Sequence, residues 1–497
     1  MMKKQALNPY LPVDTYIPDG EPHVFGDRVY IYGSHDKEEG QSFCLLDYEV
    51  WSAPVEDLSD WRREGIIYRK DQDPDFGEEY YVMFAPDVVQ GNDGRYYLYY
   101  AMSGKHFTGP IHCAVCDSPA GKYEYYGCVQ NKDGTPYTHG IPFDPAVIND
   151  EGVIRLYYGW SLDFSKEKME QFRKDPEGFQ PGLYMAYEML FEKSREDVEK
   201  DGGRIMGGFT VELEDDMITV KTEPKLVCPG MLDAEGTSFE GHAFFEASSM
   251  RKIHDQYYFI YSSVHQHELC YAVSESPDHG FVYGGVIVDN GDIGYEGRKE
   301  ENRLFLSGNN HGSLVQVKDQ WYIFYHRQTH RNTFNRQGCA EKVFFDENGD
   351  IAQVEMTSCG LNDGPLKCEG SYPAVIACNL TDGHMPHAVS RGEPEERFPV
   401  ITSRDKEQFI GEFSDGCMAG YKYFRFAGKK IFSILARGNM NGIAAVCADD
   451  ELIGKIEVSP FAEWKKFETE ISCNGDHALY IKFEGTGEME IRDITFE

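Results

Sequence analysis

The chain has 497 residues, which predicts two or more domains, although a large all-β unit can use about 350 residues for one core. Its 48 basic and 84 acidic residues give a net charge of −36. Because this charge repels phosphates, we exclude nucleic acid and anionic membrane surfaces as partners and expect a neutral or cationic ligand.

The N-terminal stretch predicts no export signal. Two lysines in residues 1–10 are followed by no apolar run, and no later segment approaches the roughly 20 apolar residues of a membrane helix. The 13 cysteines are odd in number and mostly isolated, which favours reduced thiols over a disulfide framework. These features predict a cytoplasmic protein, and they leave its oligomeric state open.

An aromatic strand recurs five times along the chain. Each copy follows a tight-turn signal and alternates aromatic with β-branched residues, which is typical of the second strand of a hairpin. The copies are residues 28–34, 95–100, 154–159, 256–261 and 320–325. Most are roughly 60 to 70 residues apart, a spacing that suits four-stranded propeller blades. The repeat therefore predicts a five-bladed β-propeller over residues 1–357.

The long interval between the third and fourth copies predicts an insertion over residues 162–235. This stretch is polar and charged, and its residues 165–174 form the best helix candidate of the chain. After the fifth copy, residues 340–345 predict the last hairpin of the propeller, and residues 359–373 are loop-rich. Residues 374–497 then alternate apolar and polar residues in short runs, which predicts an antiparallel β-sandwich. The fold class is all-β.

Ionisable residues precede the aromatic strands at comparable positions. Counting back one turn and one strand from each copy finds Asp19, Asp87, Asp144, Glu246 and His311. Any one acid near a turn is usually solvated, but five at one repeat position favour convergence on a central channel. Carboxylates that converge repel one another, so at least one pKa should rise. The channel would then hold an acid beside a base, as hydrolysis of a glycosidic bond requires.

Short motifs around these positions resemble glycoside hydrolase family 43, a family of five-bladed β-propellers. The resemblance covers about residues 8–350. Its motifs are Asn8-Pro-Tyr10, Pro18-Asp-Gly-Glu-Pro-His23, Phe84-Ala-Pro-Asp87, Phe143-Asp-Pro-Ala146, Phe245-Glu-Ala-Ser248 and His311-Gly-Ser313. It implies that Asp19 is the general base, that Glu246 is the general acid, and that Asp144 orients the acid and tunes its pKa. Family members invert the anomeric centre, which implies acid and base carboxyls roughly 6.5 to 9.5 Å apart.

Further residues are candidates for contacts with the substrate. Phe84 and Phe245 lie next to the acids, and their ring faces suit stacking on a sugar. Asp87 either binds substrate or only shapes the pocket or holds a turn, because the family motif there usually begins with tryptophan rather than Phe84. Arg327 resembles an arginine that contacts sugar hydroxyls in relatives; the alternative is an ion pair inside the blade. His35, beside Asp36 after the first aromatic strand, could reach the rim of the pocket or form a turn.

One metal ion is suggested by the same resemblance. His311 resembles a histidine at the channel floor of relatives, sometimes near calcium or sodium. The alternative is a hydrogen-bonded core histidine, because hard cations prefer oxygen ligands. No cofactor is required for the expected chemistry.

The C-terminal region resembles a family 6 carbohydrate-binding β-sandwich in residues 420–426, 431–440 and 491–496. Such modules either bind sugar or pack on the propeller. Because the sequence shows no clear pair of exposed tryptophans, we favour packing.

These features predict an inverting exo-glycosidase that releases L-arabinofuranose or D-xylose from hemicellulose-derived, pentose-containing oligosaccharides. One alternative is a non-catalytic propeller that binds glycans or proteins. Another is a related propeller enzyme that acts on another sugar, such as a galactosidase or a phosphorylase.

Overall fold

The computed structural model describes residues 5–105, 109–390, 392 and 394–497. It shows a five-bladed β-propeller followed by a strand-rich C-terminal domain, which confirms the predicted fold class. No helix within the described ranges is long and apolar enough to cross a bilayer.

The first two blades are consecutive antiparallel sheets. Blade 1 consists of β1 (Glu21–Phe25), β2 (Arg28–Tyr32), β3 (Tyr48–Pro54) and β4 (Arg62–Tyr68). Blade 2 consists of β5 (Tyr80–Met83), β6 (Asp87–Gln90), β7 (Tyr96–Gly104), β8 (Ile111–Cys116) and β9 (Glu124–Cys128). Both β5 and β6 pair with β7, so two short segments share the inner edge of this blade.

Blade 3 carries the helical insertion. Its strands are β10 (Ala146–Asp150), β11 (Val153–Trp160), β12 (Gly207–Leu213) and β13 (Lys225–Pro229), and three helices lie between β11 and β12: α1 (Lys166–Lys174), α2 (Pro176–Phe191) and α3 (Arg195–Lys200). The predicted helix is confirmed as α1, which begins after Ser165, whose side chain accepts a hydrogen bond from the Lys168 amide. The predicted bounds 162–235 were wrong at the C-terminal side, because β12 and β13 are regular strands of the blade.

The last two blades close the propeller. Blade 4 consists of β14 (Phe244–Ile253), β15 (Gln256–Ser263), β16 (Glu268–Ser274) and β17 (Val282–Asp289), and blade 5 of β18 (Ser313–Val317), β19 (Gln320–Gln328) and β20 (Arg336–Val343). The N-terminal segment runs beside β20, where the Tyr10 amide donates to the Gly338 carbonyl and the Asn8 side chain bonds both backbone groups of Ala340. The beginning and end of the propeller are joined in this way.

The five predicted aromatic strands are β2, β7, β11, β15 and β19, which pair with the innermost strands of their blades. Nearly every residue of these strands is buried, on both faces of the sheet. Blades stack against neighbours on both sides, which explains why the strands are apolar almost throughout rather than only at alternate positions.

The C-terminal domain is a β-sandwich in which ten strands form one hydrogen-bonded network. The strands are β21 (Leu366–Lys367), β22 (Gly370–Pro373), β23 (Asn379–Thr381), β24 (Val400–Arg404), β25 (Glu407–Phe413), β26 (Met418–Gly438), β27 (Asn441–Ala448), β28 (Glu451–Val458), β29 (Phe461–Thr486) and β30 (Met489–Phe496). Since β21 and β22 pair with β26 and β30, this domain begins before the predicted residue 374.

The two domains share buried surface. One continuous apolar core contains residues of blades 4 and 5, such as Leu314 and Ile323, together with residues of the sandwich, such as Ile434 and Ile494. The buried guanidinium of Arg327 on β19 donates to the carbonyls of residues 375 and 377, at 2.6 and 2.8 Å. The sandwich is therefore attached to the propeller by a core contact and by buried hydrogen bonds.

Candidate active site

A cavity of about 250 Å³ lies at one end of the propeller channel. Four of its lining residues are ionisable residues that the sequence placed in the channel: Asp19, Asp144, Glu246 and His311. Its aromatic walls are Phe43, Phe84, Phe143, Trp160 and Phe245, and its remaining lining residues are Gln266, Asn309, Thr333, Arg336, Ala388 and Ser390. The cavity thus combines buried acids with ring faces on which a sugar can stack.

The backbone places three of the four ionisable residues by the same device. Asp19, Asp144 and His311 each lie two residues before an inner strand, at Glu21, Ala146 and Ser313 respectively. Asp19 and Asp144 have φ values of 57° and 43°, in the left-handed region that is uncommon for residues other than glycine. Strain of this kind persists where the surrounding structure holds it, and it is frequent at functional sites.

Glu246 reaches the same level by a different route. It lies inside β14, where the pairing with β15 shifts between Glu246 and Ser249 and Ala247 takes a φ of 66°. Such an irregularity bends the strand and redirects its side chains. The carboxylate accepts a hydrogen bond from Trp160 Nε1 at 2.9 Å. Phe191 of α2 packs on the Trp160 ring with 5.4 Å between centroids, so the helical insertion supports the tryptophan that contacts Glu246.

The environment of Glu246 suits a proton donor. Burial raises its pKa to about 7, an effect that the Trp160 hydrogen bond opposes and the Asp19 charge reinforces. The group therefore keeps its proton in a large share of molecules near neutral pH. A general acid is most effective when its pKa lies close to the working pH.

Asp19 has the opposite character. Burial alone would raise its pKa, but the Arg336 guanidinium, with Nη1 at 2.8 Å from Oδ1, and the nearby His326 outweigh burial and hold the pKa well below its usual value. Arg336 is itself fixed by Asp36, which accepts from Nε at 2.8 Å and from Nη2 at 3.0 Å. Asp19 is thus ionised throughout the physiological range, as a general base must be.

Asp144 is coupled to the acid. Its Oδ2 accepts from the Ala247 amide at 2.9 Å, so it holds the backbone next to Glu246. Burial and then the charges of Glu246 and Asp19 raise the pKa of Asp144 well above its usual value. Because the Glu246 charge raises the pKa of Asp144, the two carboxyls do not both ionise near neutral pH.

Asp87 does not line the cavity, and the counting that put it level with the other acids was off by two residues. It is the first residue of β6 and corresponds to Glu21, the first residue of β1. Its carboxylate accepts from the amides of Val88 and Val147 and lies 2.6 Å from His23 Nε2. Asp87 therefore belongs to a second level of the channel, beneath the cavity.

This lower level is a buried polar network. Glu21 accepts from Arg251 Nη2 at 2.7 Å and from Ser249 Oγ at 3.2 Å, and Ser249 is hydrogen-bonded to Ser313 at 2.6 Å. Burial, offset by Arg251 and reinforced by Asp87, raises the pKa of Glu21 to about 7. These groups bond one another and the backbone rather than face the cavity.

The predicted substrate-binding residues divide into two groups. Phe84 and Phe245 line the cavity as expected. Arg327 does not: its guanidinium bonds carbonyls of the C-terminal domain and Gln337. Among the described residues it forms no ion pair, which was the alternative. His35 also lies outside the lining, and its Nδ1 bonds the Asp47 carbonyl at 2.8 Å.

Sequence reasoning missed two central residues of the site. The arginine of the cavity is Arg336, nine residues after Arg327 on the following strand, and its salt bridge to Asp36 could have been suspected because Asp36 had been placed near the rim. Trp160 ends the third aromatic strand, immediately before the insertion. A tryptophan at the channel end of a blade strand was the available signal.

The C-terminal domain also contributes to the cavity wall. Ala388 and Ser390, in the segment between β23 and β24, are lining residues. The Ala388 amide donates to the Ser307 carbonyl at 2.7 Å, and Ser307 Oγ lies 3.2 Å from His387 Nδ1. These bonds hold the segment against the mouth of the cavity, and nothing in its sequence pattern indicated such a position.

A buried carboxyl of raised pKa and a buried carboxylate of lowered pKa, facing one aromatic cavity of a five-bladed propeller, are the groups that a glycoside hydrolase requires. Comparison with known proteins agrees. The model of the glycosyl hydrolases family 43 matches residues 8–177 and 189–351, and the chain belongs to this family.

The relatives extend over different shares of the chain. A xylosidase/arabinosidase of Thermoclostridium stercorarium is 44% identical, and the alignment covers 99% of each protein. A xylosidase/arabinosidase of Bacteroides ovatus is 27% identical over 70% of this chain and 97% of its own. The first relative therefore resembles both domains, whereas the second covers a share close to that of the propeller.

Solved structures support the fold. A family 43 arabinoxylan arabinofuranohydrolase from Bacillus subtilis, in complex with cellotetraose, superimposes with a TM-score of 0.50 at 19% identity, covering 98% of this chain and 97% of that one. A family 43 β-xylosidase/α-arabinofuranosidase from a compost microbial metagenome, a calcium-free form in complex with xylotriose, gives a TM-score of 0.50 at 25% identity and covers 71% of this chain and 97% of that one.

Proposed function

We propose that the protein is an inverting exo-glycosidase that removes terminal L-arabinofuranose or D-xylose from hemicellulose-derived oligosaccharides. The observation that carries the proposal is the opposite tuning of Glu246 and Asp19 in one cavity. The names of the xylosidase/arabinosidase relatives indicate the pentose class of the sugar. A small cavity with walls from both domains suits the end of a glycan chain.

The reaction needs two proton transfers. Glu246 donates its proton to the glycosidic oxygen as the bond to the anomeric carbon breaks. Asp19 takes a proton from a water that attacks this carbon from the opposite face. Asp144 and Trp160 hold Glu246 in place, and the aromatic walls exclude bulk water. No cofactor takes part in these steps.

The proposal is tested with 4-nitrophenyl α-L-arabinofuranoside, 4-nitrophenyl β-D-xylopyranoside and short xylo- and arabinoxylo-oligosaccharides. The parent protein is expected to release pentose, and proton NMR at early times is expected to show the inverted anomer. Retention of configuration would refute the inverting mechanism, and inactivity on all pentosides would refute the substrate class. A sugar 1-phosphate formed only in phosphate buffer would identify a phosphorylase instead.

The role of Glu246 has its own signature. Nitrophenolate leaves without protonation, whereas a sugar alcohol needs an acid. Glu246→Gln is therefore expected to lose about 10³-fold in kcat/KM on oligosaccharides but far less on 4-nitrophenyl glycosides. Equal losses on both substrates would argue against proton donation by this residue.

For the C-terminal domain we favour packing over sugar binding. The core shared with blades 4 and 5 and the position of Ala388 and Ser390 support this role. Calorimetric titration of Glu246→Gln with xylotetraose is expected to give one site per chain. A second site that remains when the cavity is blocked would show that the domain binds sugar.

A calcium or sodium ion near His311 stays a prediction. Burial lowers the pKa of His311 to about 4, so its neutral imidazole is available as a ligand, and Asp144 Oδ2 lies 3.6 Å from its Nδ1. Within the described residues, the clustered metal-ligand groups do not include His311, so an ion there would take most of its ligands from water. Activity that survives chelation would show that the ion is dispensable.

The compartment is likewise a prediction. All 13 cysteines are free thiols, in agreement with the reducing cytoplasm expected from the sequence. Fractionation of the native host, with the activity as the marker, tests this location.

A further inference from the structure

A second group of ionisable side chains lies on blade 2, away from the residues that line the catalytic cavity. Asp73 and Asp75 belong to the loop between β4 and β5, and His112 lies on β8. Each of the three residues offers one possible ligand atom, and these three atoms lie within 4.8 Å of one another. The loop and the strand thus bring a nitrogen ligand and two oxygen ligands together.

The bonds of Asp73 fix one side of this group. Its Oδ1 accepts from the Asp75 amide at 2.8 Å, and its Oδ2 accepts from the hydroxyl of Tyr100, which is stacked on the His112 ring at 5.5 Å between centroids. The carboxylate is fully buried. It is therefore held rigidly, with Oδ2 directed towards the histidine.

His112 presents an unsatisfied nitrogen to the carboxylates. Only 2% of its side chain is exposed, and its Nδ1 is a buried atom without a hydrogen-bond partner. This atom lies 3.2 Å from Asp73 Oδ2, but not in hydrogen-bond geometry, while Nε2 lies 3.7 Å from Asp75 Oδ2. Buried polar atoms are nearly always satisfied, so an orphaned nitrogen of this kind indicates a missing partner.

The charge of the group points to a cation. Across the described ranges, the only ion-pair partner of Asp73 and of Asp75 is His112. No lysine or arginine among the described residues pairs with either carboxylate, so a bound metal ion would supply the positive charge that a buried carboxylate requires.

We propose that Asp73, Asp75 and His112 bind one divalent transition-metal ion of the zinc or manganese class. An imidazole nitrogen with two carboxylate oxygens suits these metals, whereas calcium and magnesium prefer oxygen ligands alone. The role of the ion would be structural. It would tie the loop before β5 to β8, and β5 leads directly to Phe84 of the catalytic cavity.

The test uses the full-length, untagged protein. After chelation and desalting, the protein is loaded with Zn²⁺ or Mn²⁺, desalted again and measured by plasma mass spectrometry and thermal unfolding. The parent is expected to retain one metal per chain and to gain about 3 °C in Tm, because a ligand that binds only the folded state stabilises it. His112→Gln and Asp75→Asn are expected to lose both the metal and the gain in Tm.

A matched control is available in blade 4. His242, Glu268 and Cys270 form another group with metal-ligand spacing, but His242 Nδ1 already lies 2.7 Å from Glu268. His242→Gln is expected to keep the metal and the gain in Tm. Because Asp75 is half exposed, Asp75→Asn should fold even if His112→Gln does not. Absence of bound metal in the parent, full retention by Asp75→Asn, or loss only in His242→Gln would each overturn the proposal.

Discussion

The two levels of the propeller channel are built from the same repeat but do different things. The upper level holds Asp19, Asp144 and Glu246 against a cavity, with pKa values pushed in opposite directions. The lower level begins two residues later, where Glu21 and Asp87 are bonded to Arg251, His23 and backbone amides. In this fold a carboxyl group that faces the cavity is accessible for chemistry, whereas Glu21 and Asp87 are held by bonds inside the channel.

The sharpest comparison replaces one acid by its amide at each level. Asp19→Asn is expected to lower kcat/KM on arabinoxylo-oligosaccharides by about 10³-fold or more, because the amide cannot accept the proton of the attacking water. Glu21→Gln is expected to stay within about 3-fold of the parent, since Glu21 does not line the cavity. The measurement is kcat/KM of both variants and the parent by steady-state kinetics. Equal losses in the two variants would remove the distinction between the levels.

The lower level should instead control stability. Arg251→Met removes the cationic partner of Glu21 and leaves two buried carboxylates, and we expect the free energy of unfolding to fall by about 3 kcal/mol. Chemical denaturation at two pH values is the measurement. Because loss of Arg251 raises the folded-state pKa of Glu21 further above its unfolded value, the deficit should be larger at pH 8 than at pH 5.

Arg251→Lys is the control for this prediction, since it keeps the charge. It should recover much of the lost stability, and both variants should keep the kcat/KM of the parent at temperatures where they are folded. A large fall in kcat/KM with unchanged stability would place Arg251 in the catalytic machinery.

Within the upper level, Asp144 is expected to act through Glu246. Asp144→Asn weakens the hydrogen bond to the Ala247 amide that holds the backbone next to Glu246. We expect kcat to drop by about 30-fold at pH 7, because Glu246 is then less well placed to protonate the leaving oxygen. Since burial, Trp160 and Asp19 set the pKa of Glu246, the alkaline limb of the pH profile should stay in place. A limb that moves to lower pH would show that Asp144 acts through its charge instead.

How much of this could be read from the sequence depends on whether a feature repeats. The aromatic strands recur, so the five blades and the positions of Asp19 and Asp144 followed from counting. Counting failed by two residues at Asp87, where β5 and β6 divide the inner edge of blade 2. Features that do not repeat, such as the pairing of Arg336 with Asp36 across 300 positions, depend on tertiary contact and left no periodic signal.

The position of the C-terminal domain shows the same limit. Its alternating pattern predicted strands, and the propeller and sandwich were separable in the sequence. That Ala388 and Ser390 reach the cavity, and that Arg327 bonds the linking segment instead of a sugar, follows from how two domains dock. How the two domains pack is determined by the shapes of their surfaces and by carbonyl groups that need partners, and neither is visible in a local sequence pattern.

The smallest expected effect tests the contact between Trp160 and Glu246. The indole N–H stabilises the carboxylate and so lowers the pKa of Glu246, which burial raises to about 7. In the parent, activity should therefore decline as the pH rises through about 7, while Asp19 stays ionised on the acid side. Trp160→Phe removes the donor but keeps an aromatic ring, so the alkaline limb of the pH profile should move to higher pH by roughly half a unit.

Phe245→Leu, a cavity change without loss of a donor, serves as the control and should leave the alkaline limb in place. If Trp160→Phe leaves the limb unmoved or shifts it downward, the hydrogen bond does not tune the acid, and the raised pKa of Glu246 must be attributed to burial and to Asp19 alone.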